Sequence, residues 1–444
     1  MRRKEKTQGM LFTLLSCILI LSVLAATIRI GFASKELTPS DIIRFADIYG
    51  EITDRFDMTI YEDGEVLNYD LYGSIVGDGN NIHNSLVYKF SDELKPGNIN
   101  FITGYRKIEE KPRVMKTTLL SESSLQEIAK MFGSDSGCCF AYNYETGEVY
   151  TALSFPAYNP YKSNPSFINR CYNGIYIPGS TMKVITTIIA VEQGINLKKV
   201  NYECDSVYEL PNGKEIECVY GISHGKVDYA KGIGESCNGY FVNLASQFNI
   251  DEALETLRML GFKVNGKVET KVSTNDLSTS TSSVEITDLS TFSGAWSFAG
   301  QGDDQVNPVH MAMIAGAIAN GGKAAEPYIV KSIYNPNKDK FVYQAKGAEM
   351  TKFMSSKTAN TVAKLWKSGV EEYYYNTYKN ISEKISYAKT GTAEYDDNDS
   401  KYTNKLLMGT IEESKTAFYI VVEHNSELEP IQVANKLVDI LPKN

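Results

Sequence analysis

The chain has no excess of basic charge, no dense set of cysteines, no internal repeat and no low-complexity tract. Its 45 lysines and arginines stand against 54 aspartates and glutamates, a formal charge of −9. A nucleic-acid interface needs clustered positive charge, so no nucleic-acid partner is expected. Seven cysteines in 444 residues are too few for a scaffold built on disulfides. With 43% hydrophobic and 22% charged residues, the chain can bury a large core and is long enough for two or three domains.

Long apolar runs are scarce too. Met10 to Ile28 is nineteen residues without a charge, preceded by Arg2, Arg3, Lys4 and Lys6 against Glu5 alone. Such a run can span a bilayer with its basic flank on the cytoplasmic side. The expectation is a cytoplasmic segment at 1–9, a single-pass anchor at 10–31 and everything after about Arg29 outside the cytoplasm. A cleaved signal peptide near Ala25-Ala26 is the rival reading. The run is long for that, and no small-x-small site precedes a polar start.

From 32 to 116 the pattern is short alternating strands and Gly-Asp or Asn-Gly turns, which reads as a small strand-rich domain. The main domain, 117–444, opens with an amphipathic helix over 118–131 and a hairpin from Gly137-Cys138-Cys139-Phe140 to Val149-Tyr150-Thr151. Residues 180 to about 320 read as mostly helical. Strands at 328–334, 340–344, 386–393, 406–411 and 417–423 follow, with helices at 357–370 and 430–441. A hairpin, a helical block, then antiparallel strands closed by a helix describe an α+β layer fold.

Three stretches carry chemistry. In Pro178-Gly179-Ser180-Thr181-Met182-Lys183 the serine opens a buried helix, and a lysine three residues on shares its face, so Lys183 can serve as base to a Ser180 nucleophile if its pKa is depressed. Ser236-Cys237-Asn238 places a hydroxyl and an amide two residues apart before an apolar helix. Lys389-Thr390-Gly391-Thr392 reads as a strand with a cation, two hydroxyls and a glycine where a substrate backbone could approach. Lys389 beside Lys183 would lower the latter's pKa by repulsion and attract a carboxylate. Ser223/Lys226 and Ser386/Lys389 repeat the first spacing, and Ser273/Asn275 the second. Cys204 and Cys218 flank a turn-like Leu210-Pro211-Asn212-Gly213-Lys214 and either close a disulfide loop or remain two free thiols. With His224 they also invite a zinc reading, but no fourth ligand stands nearby in the sequence, so neither metal nor cofactor is expected.

Ser180-x-x-Lys183, Ser236-x-Asn238 and Lys389-Thr390-Gly391, in that order and separated by 56 and 153 residues, resemble the active-site motifs of penicillin-binding proteins and serine β-lactamases. Asn173-Gly174-Ile175-Tyr176-Ile177-Pro178-Gly179, Gly300-Gln301-Gly302 and Tyr49-Gly50-Glu51-Ile52-Thr53-Asp54-Arg55 resemble the class B penicillin-binding proteins, membrane-anchored peptidoglycan D,D-transpeptidases. The resemblance implies a serine β-lactamase/transpeptidase-like fold, with stem peptides as substrates and β-lactam antibiotics as covalent ligands. It further implies Ser180 as the acylated nucleophile, Lys183 as its base, Ser236 as proton relay and Asn238 as a hold on the donor peptide's amide. Lys389 and Thr390 would bind the terminal carboxylate, and the Ser180 and Thr392 backbone N–H groups would form the oxyanion hole. A D,D-carboxypeptidase, a β-lactamase using Glu372 and Asn376 on a deacylating water, and a catalytically idle scaffold are the rivals. A polytopic membrane glycosyltransferase is a possible partner. The sequence departs from the class in the acidic run Glu394 to Asp399 and in Leu406-Leu407-Met408-Gly409, which lacks an aromatic pair.

Overall fold

The computed structural model describes residues 19–23, 50–78, 82–94, 111–286, 288–347, 349–378, 380–397 and 400–442. The expected 10–31 anchor lies outside the described residues except for a helical turn at 19–23, and Tyr49 lies outside them too. Among the described residues no helix is long and apolar enough to cross a membrane.

The first sheet is built from β1 (Glu51–Thr53), β2 (Thr59–Glu62), β3 (Glu65–Val66) and β4 (Val114–Thr117), and it is completed by β7 (Val330–Asn335) and β8 (Lys340–Gln344). Its order is β8-β7-β4-β1-β2-β3, with β4 parallel to β1 and antiparallel to β7. The boundary expected at 116/117 therefore cuts through a hydrogen-bonded sheet. Helix α1 (Tyr69–Val76), with every residue but Asp70 buried, adds helix to a region expected to be strand-rich.

The second sheet carries Lys389-Thr390-Gly391 on its edge strand. Strands β5 (Gly137–Asn143) and β6 (Val149–Phe155) form the early hairpin, and β9 (Tyr387–Asp397), β10 (Ser400–Ile411) and β11 (Thr416–Val422) follow late in the chain. The order is β9-β10-β11-β5-β6, antiparallel throughout. Every residue of β5, β6 and β11 is buried, so both faces of that half are covered, which explains a nearly unbroken apolar sequence in place of alternation. Helix α2 (Glu122–Phe132), capped by Ser121, contacts α9 (Pro430–Ile440), which packs on β10 and β11. Helix α7 (Pro308–Ala319) contacts β5, β10 and β11.

Between these strands stands a helical block: α3 (Met182–Glu192), α4 (Tyr229–Gly234), α5 (Asn238–Ala245) and α6 (Ile250–Met259) before α7, and α8 (Ser356–Gly369) after it. It is less purely helical than its sequence reads. Short pairs join Val207–Glu209 to Glu215–Glu217 and Tyr202–Cys204 to Gly225–Val227. One apolar cluster runs from Ile52 to Leu441 through both sheets and the block.

Candidate active site

Ser180 sits in a single 3-10 turn, Gly179–Thr181, that feeds directly into α3. Residues 182–190 are all buried, Lys183 included at 0% exposure, whereas Ser180 is half-buried. The lysine is enclosed and the serine reachable. Lys183 Nζ lies 2.9 Å from Ser180 Oγ, 2.7 Å from the Ser236 carbonyl oxygen, 2.7 Å from Asn238 Oδ1 and 3.1 Å from Ser236 Oγ. Two of those oxygens belong to carbonyl groups that can only accept. An uncharged amine can give each of them one N–H and keep its lone pair for the Ser180 hydroxyl. Burial holds the Lys183 amine down to about 8, with the Cys237 and Cys218 sulfurs pulling the other way.

Ser236 occupies the turn between α4 and α5 at φ 60°, a left-handed conformation that serine adopts only when its surroundings hold it. Its hydroxyl bridges the two amines, with Lys389 Nζ at 3.0 Å. Cys237, neither Ser236 nor Asn238, caps α5: its sulfur accepts from Tyr240 N. Asn238 is committed within the protein, because Oδ1 accepts from Lys183 and Nδ2 donates to the Glu217 carbonyl at 2.8 Å. Both bonds are internal, and the first positions Lys183.

Lys389 is fully buried on the edge strand β9, where Nζ also donates to the Thr390 carbonyl at 3.0 Å. Its pKa is well below the usual lysine range, from burial first and from Lys183 second. Burial is thus the leading cause for both amines. Gly391 is buried, and a Cβ there would stand 2.8 Å from the Pro178 carbonyl oxygen. The close approach it permits is to the protein's own turn. A Cβ on Gly179 would stand 2.8 Å from Thr392 N, which brings that N–H beside the Ser180 turn. Thr390 N donates to Tyr374 Oη at 2.5 Å and so points away from β10. Thr392, two residues on, shares that direction. The Thr392 carbonyl accepts from Gln301 Nε2 at 3.0 Å, so a peptide adding to this edge must displace Gln301.

The repeats of the motif spacings lead elsewhere. Ser223 Oγ donates to the Cys204 carbonyl, Ser386 Oγ accepts from Glu412 N, and Asn275 N donates to the Pro327 carbonyl. Glu372 and Asn376 are both exposed, and Asn376 Nδ2 donates to the Glu372 carbonyl. Cys204 and Cys218 are free thiols with sulfurs 3.7 Å apart, so no disulfide joins them. A fourth potential ligand does stand beside Cys204, Cys218 and His224: the fold brings Cys237 to them.

Several residues with a part in the site escape sequence reasoning. Tyr374 ends a π-helical turn, Val370–Tyr374, that prolongs α8, and Tyr378 Oη lies 3.2 Å from Thr390 Oγ1. Asn307 caps α7 and donates to the Cys171, Tyr172 and Gly174 carbonyls, fixing the loop that leads to Ser180. Two tyrosines four apart were the only trace of the first pair.

The family described as "Penicillin binding protein transpeptidase domain" matches residues 137–441. Stage V sporulation protein D of Bacillus subtilis (strain 168) is 26% identical over 263 residues, 58% of this chain and 40% of that protein. Peptidoglycan D,D-transpeptidase PbpA of Mycobacterium tuberculosis is 25% identical over 322 residues, 67% of this chain and 63% of that one. The chain thus spans less than two thirds of the length of either. The crystal structure of PBPA from M. tuberculosis superposes with a TM-score of 0.72 at 20% identity, covering 89% of this chain and 99% of that one. The ceftriaxone acyl-enzyme complex of the same protein gives 0.73 at 19%, covering 90% and 99%. At these identities the superpositions establish the fold.

Proposed function

The chain belongs to the penicillin-binding transpeptidase family, and from that premise we propose that it is a peptidoglycan D,D-transpeptidase whose acyl-enzyme forms on Ser180. The observation that carries the proposal is the Lys183 amine, buried, depressed to about 8 and 2.9 Å from Ser180 Oγ. Neutral Lys183 takes the Ser180 proton as Oγ attacks the carbonyl of the penultimate D-alanine. The Ser180 and Thr392 N–H groups receive the developing oxyanion. The proton passes through Ser236 Oγ, which touches both amines, to the departing D-alanine nitrogen as the peptide bond breaks. Lys389 and Thr390 meet the terminal carboxylate, and that anion favours the charged form of Lys389. An acceptor amine then attacks the ester and releases Ser180. A β-lactam follows the same first half and stops as the ester, and the ceftriaxone complex of the M. tuberculosis relative supports this route.

The uncharged stretch Met10 to Ile28 behind a basic segment supports anchoring in the cell membrane with the catalytic domain outside the cytoplasm. A polytopic glycosyltransferase in the same membrane would supply the glycan strands whose peptides are joined. Incubation with a fluorescent penicillin tests acylation, and Ser180→Ala should remove the label. Product analysis with a stem-peptide substrate then separates cross-linked dimer, expected here, from the trimmed monomer of a carboxypeptidase. A wild-type chain that takes no label overturns the enzyme reading.

A further inference from the structure

The middle residue of the Ser236-Cys237-Asn238 motif has no part in the chemistry above. Cys237 is 0% exposed. Its sulfur lies 3.8 Å from Cys218 Sγ, which is 3.7 Å from Cys204 Sγ, which is in turn 3.4 Å from His224 Nδ1. All four donor atoms fall within 4.8 Å of one another. They come from separate places: the end of strand Tyr202–Cys204, the residue after strand Glu215–Glu217, the residue before strand Gly225–Val227, and the cap of α5.

What sets this cluster apart from ordinary packed thiols is the convergence of three sulfurs and an imidazole nitrogen on one point. Zinc with tetrahedral bonds of about 2.3 Å to sulfur and about 2.0–2.1 Å to nitrogen sets S···S edges of about 3.8 Å and S···N edges of about 3.6 Å. Three of the six edges, at 3.8, 3.7 and 3.4 Å, match these values to within a few tenths of an ångström, and all six lie within 4.8 Å. A disulfide needs sulfurs about 2.05 Å apart and would join one pair only, leaving a thiol and the imidazole over. The surroundings also suit thiolates held in place. Tyr240 N donates to Cys237 Sγ at 3.4 Å, and the Gly239 N–H faces Cys218 Sγ. Ser223 Oγ and Lys231 Nζ pin the Cys204 and His224 carbonyls at 2.8 and 2.6 Å.

We propose that Cys204, Cys218, His224 and Cys237 bind one zinc ion in a closed Cys3His centre that holds the Ser236–Asn238 turn beneath Lys183. Three cysteine protons leave to solvent as three Zn–S bonds and one Zn–N bond form, and zinc stays divalent throughout. Soft sulfur donors with one imidazole select zinc over magnesium or calcium. The centre is structural, having no open position, and it acts on the chemistry through the backbone. Cys237 carries Ser236, whose carbonyl and hydroxyl both contact Lys183, and Asn238, whose amide binds the carbonyl of Glu217 next to Cys218. The ion therefore ties the 204–218 hairpin to the left-handed turn at Ser236.

The test is metal analysis of the full chain purified without chelator, which does not depend on turnover. One zinc per chain is expected, and cobalt substitution should give the thiolate charge-transfer and tetrahedral ligand-field bands. Cys204→Ala, at a strand end, and His224→Ala, in the loop before the next strand, should lose the metal while keeping the wild-type circular dichroism. Stripping zinc should slow penicillin acylation about 10–100-fold, with recovery on adding Zn2+ back. Substoichiometric zinc with all thiols free, a mass two hydrogens lighter that marks a disulfide, or a Cys204→Ala chain that keeps its metal would each overturn the site. A chain that binds zinc but takes no penicillin refutes the transpeptidase reading and leaves this one standing.

Discussion

At the scale of single residues the account rests on where one proton sits. Lys183 must be neutral to accept from Ser180, and with its pKa near 8 only about a tenth of the amine is neutral at pH 7. Acylation by penicillin should rise about tenfold per pH unit below 8 and level off above it, as stopped-flow measurement of kcat/KM across pH 6–9 would report. Lys183→Met should cut the acylation rate by about 10²–10⁴-fold with the fold retained. A second group titrates where its carboxyl is out of reach of water. Asp304 is 0% exposed, accepts one hydrogen bond from Ser297 Oγ, and is pushed up to about 7 by burial. A raised carboxyl leaves the fold unpenalised below the ordinary value near 4 and costs stability as pH climbs through 7. Asp304→Asn should therefore match wild type at pH 4 and exceed it by up to about 4 kcal/mol at pH 8 in denaturant titrations. Ser180, Lys183, Ser236, Asn238 and Lys389 were legible in the sequence because their spacing is itself the chemistry. Tyr374, Tyr378 and Cys237 were not, because each enters the site by a contact across the fold that no local spacing records.

At the scale of elements, the site depends on how closely the Ser180 turn meets β9 and the loop after residue 299. Gly300 has φ +104°, and a Cβ there would fall 1.7 Å from the Gly179 carbonyl oxygen. Gly300→Ala should lower stability by several kcal/mol and abolish penicillin labelling, read by thermal denaturation and gel fluorescence. Gly391→Ala asks a smaller question, since its Cβ would press on the Pro178 carbonyl at 2.8 Å. A shift of β9 by a fraction of an ångström should leave the melting temperature within a few degrees yet slow acylation by about 10²-fold. Most elements were readable from periodicity, as the helix over 430–441 and the early hairpin attest. The π-helical turn after α8 was not, since nothing in Val370-Glu371-Glu372-Tyr373-Tyr374 separates an i→i+5 turn from an ordinary one.

At the scale of the whole molecule, two sheets share one core, and β4 lies between β1 from the start of the described chain and β7 from far later. Pairings between strands more than 200 residues apart leave no mark in either strand's own sequence, which is why the 116/117 boundary looked like the end of a domain. Removing residues 1–117 should strip β4 from β7 and leave an unpaired edge; the fragment should melt well below the full chain or aggregate, as light scattering on heating would show. The same long-range folding brings positions 180, 183, 236, 238 and 389 to one point. Its most direct test is mass spectrometry of the intact protein after exposure to benzylpenicillin, followed by peptide mapping. The account predicts one added penicillin per chain, located on Ser180 and absent from Ser180→Ala; an unmodified chain, or an adduct on any other residue, would contradict it.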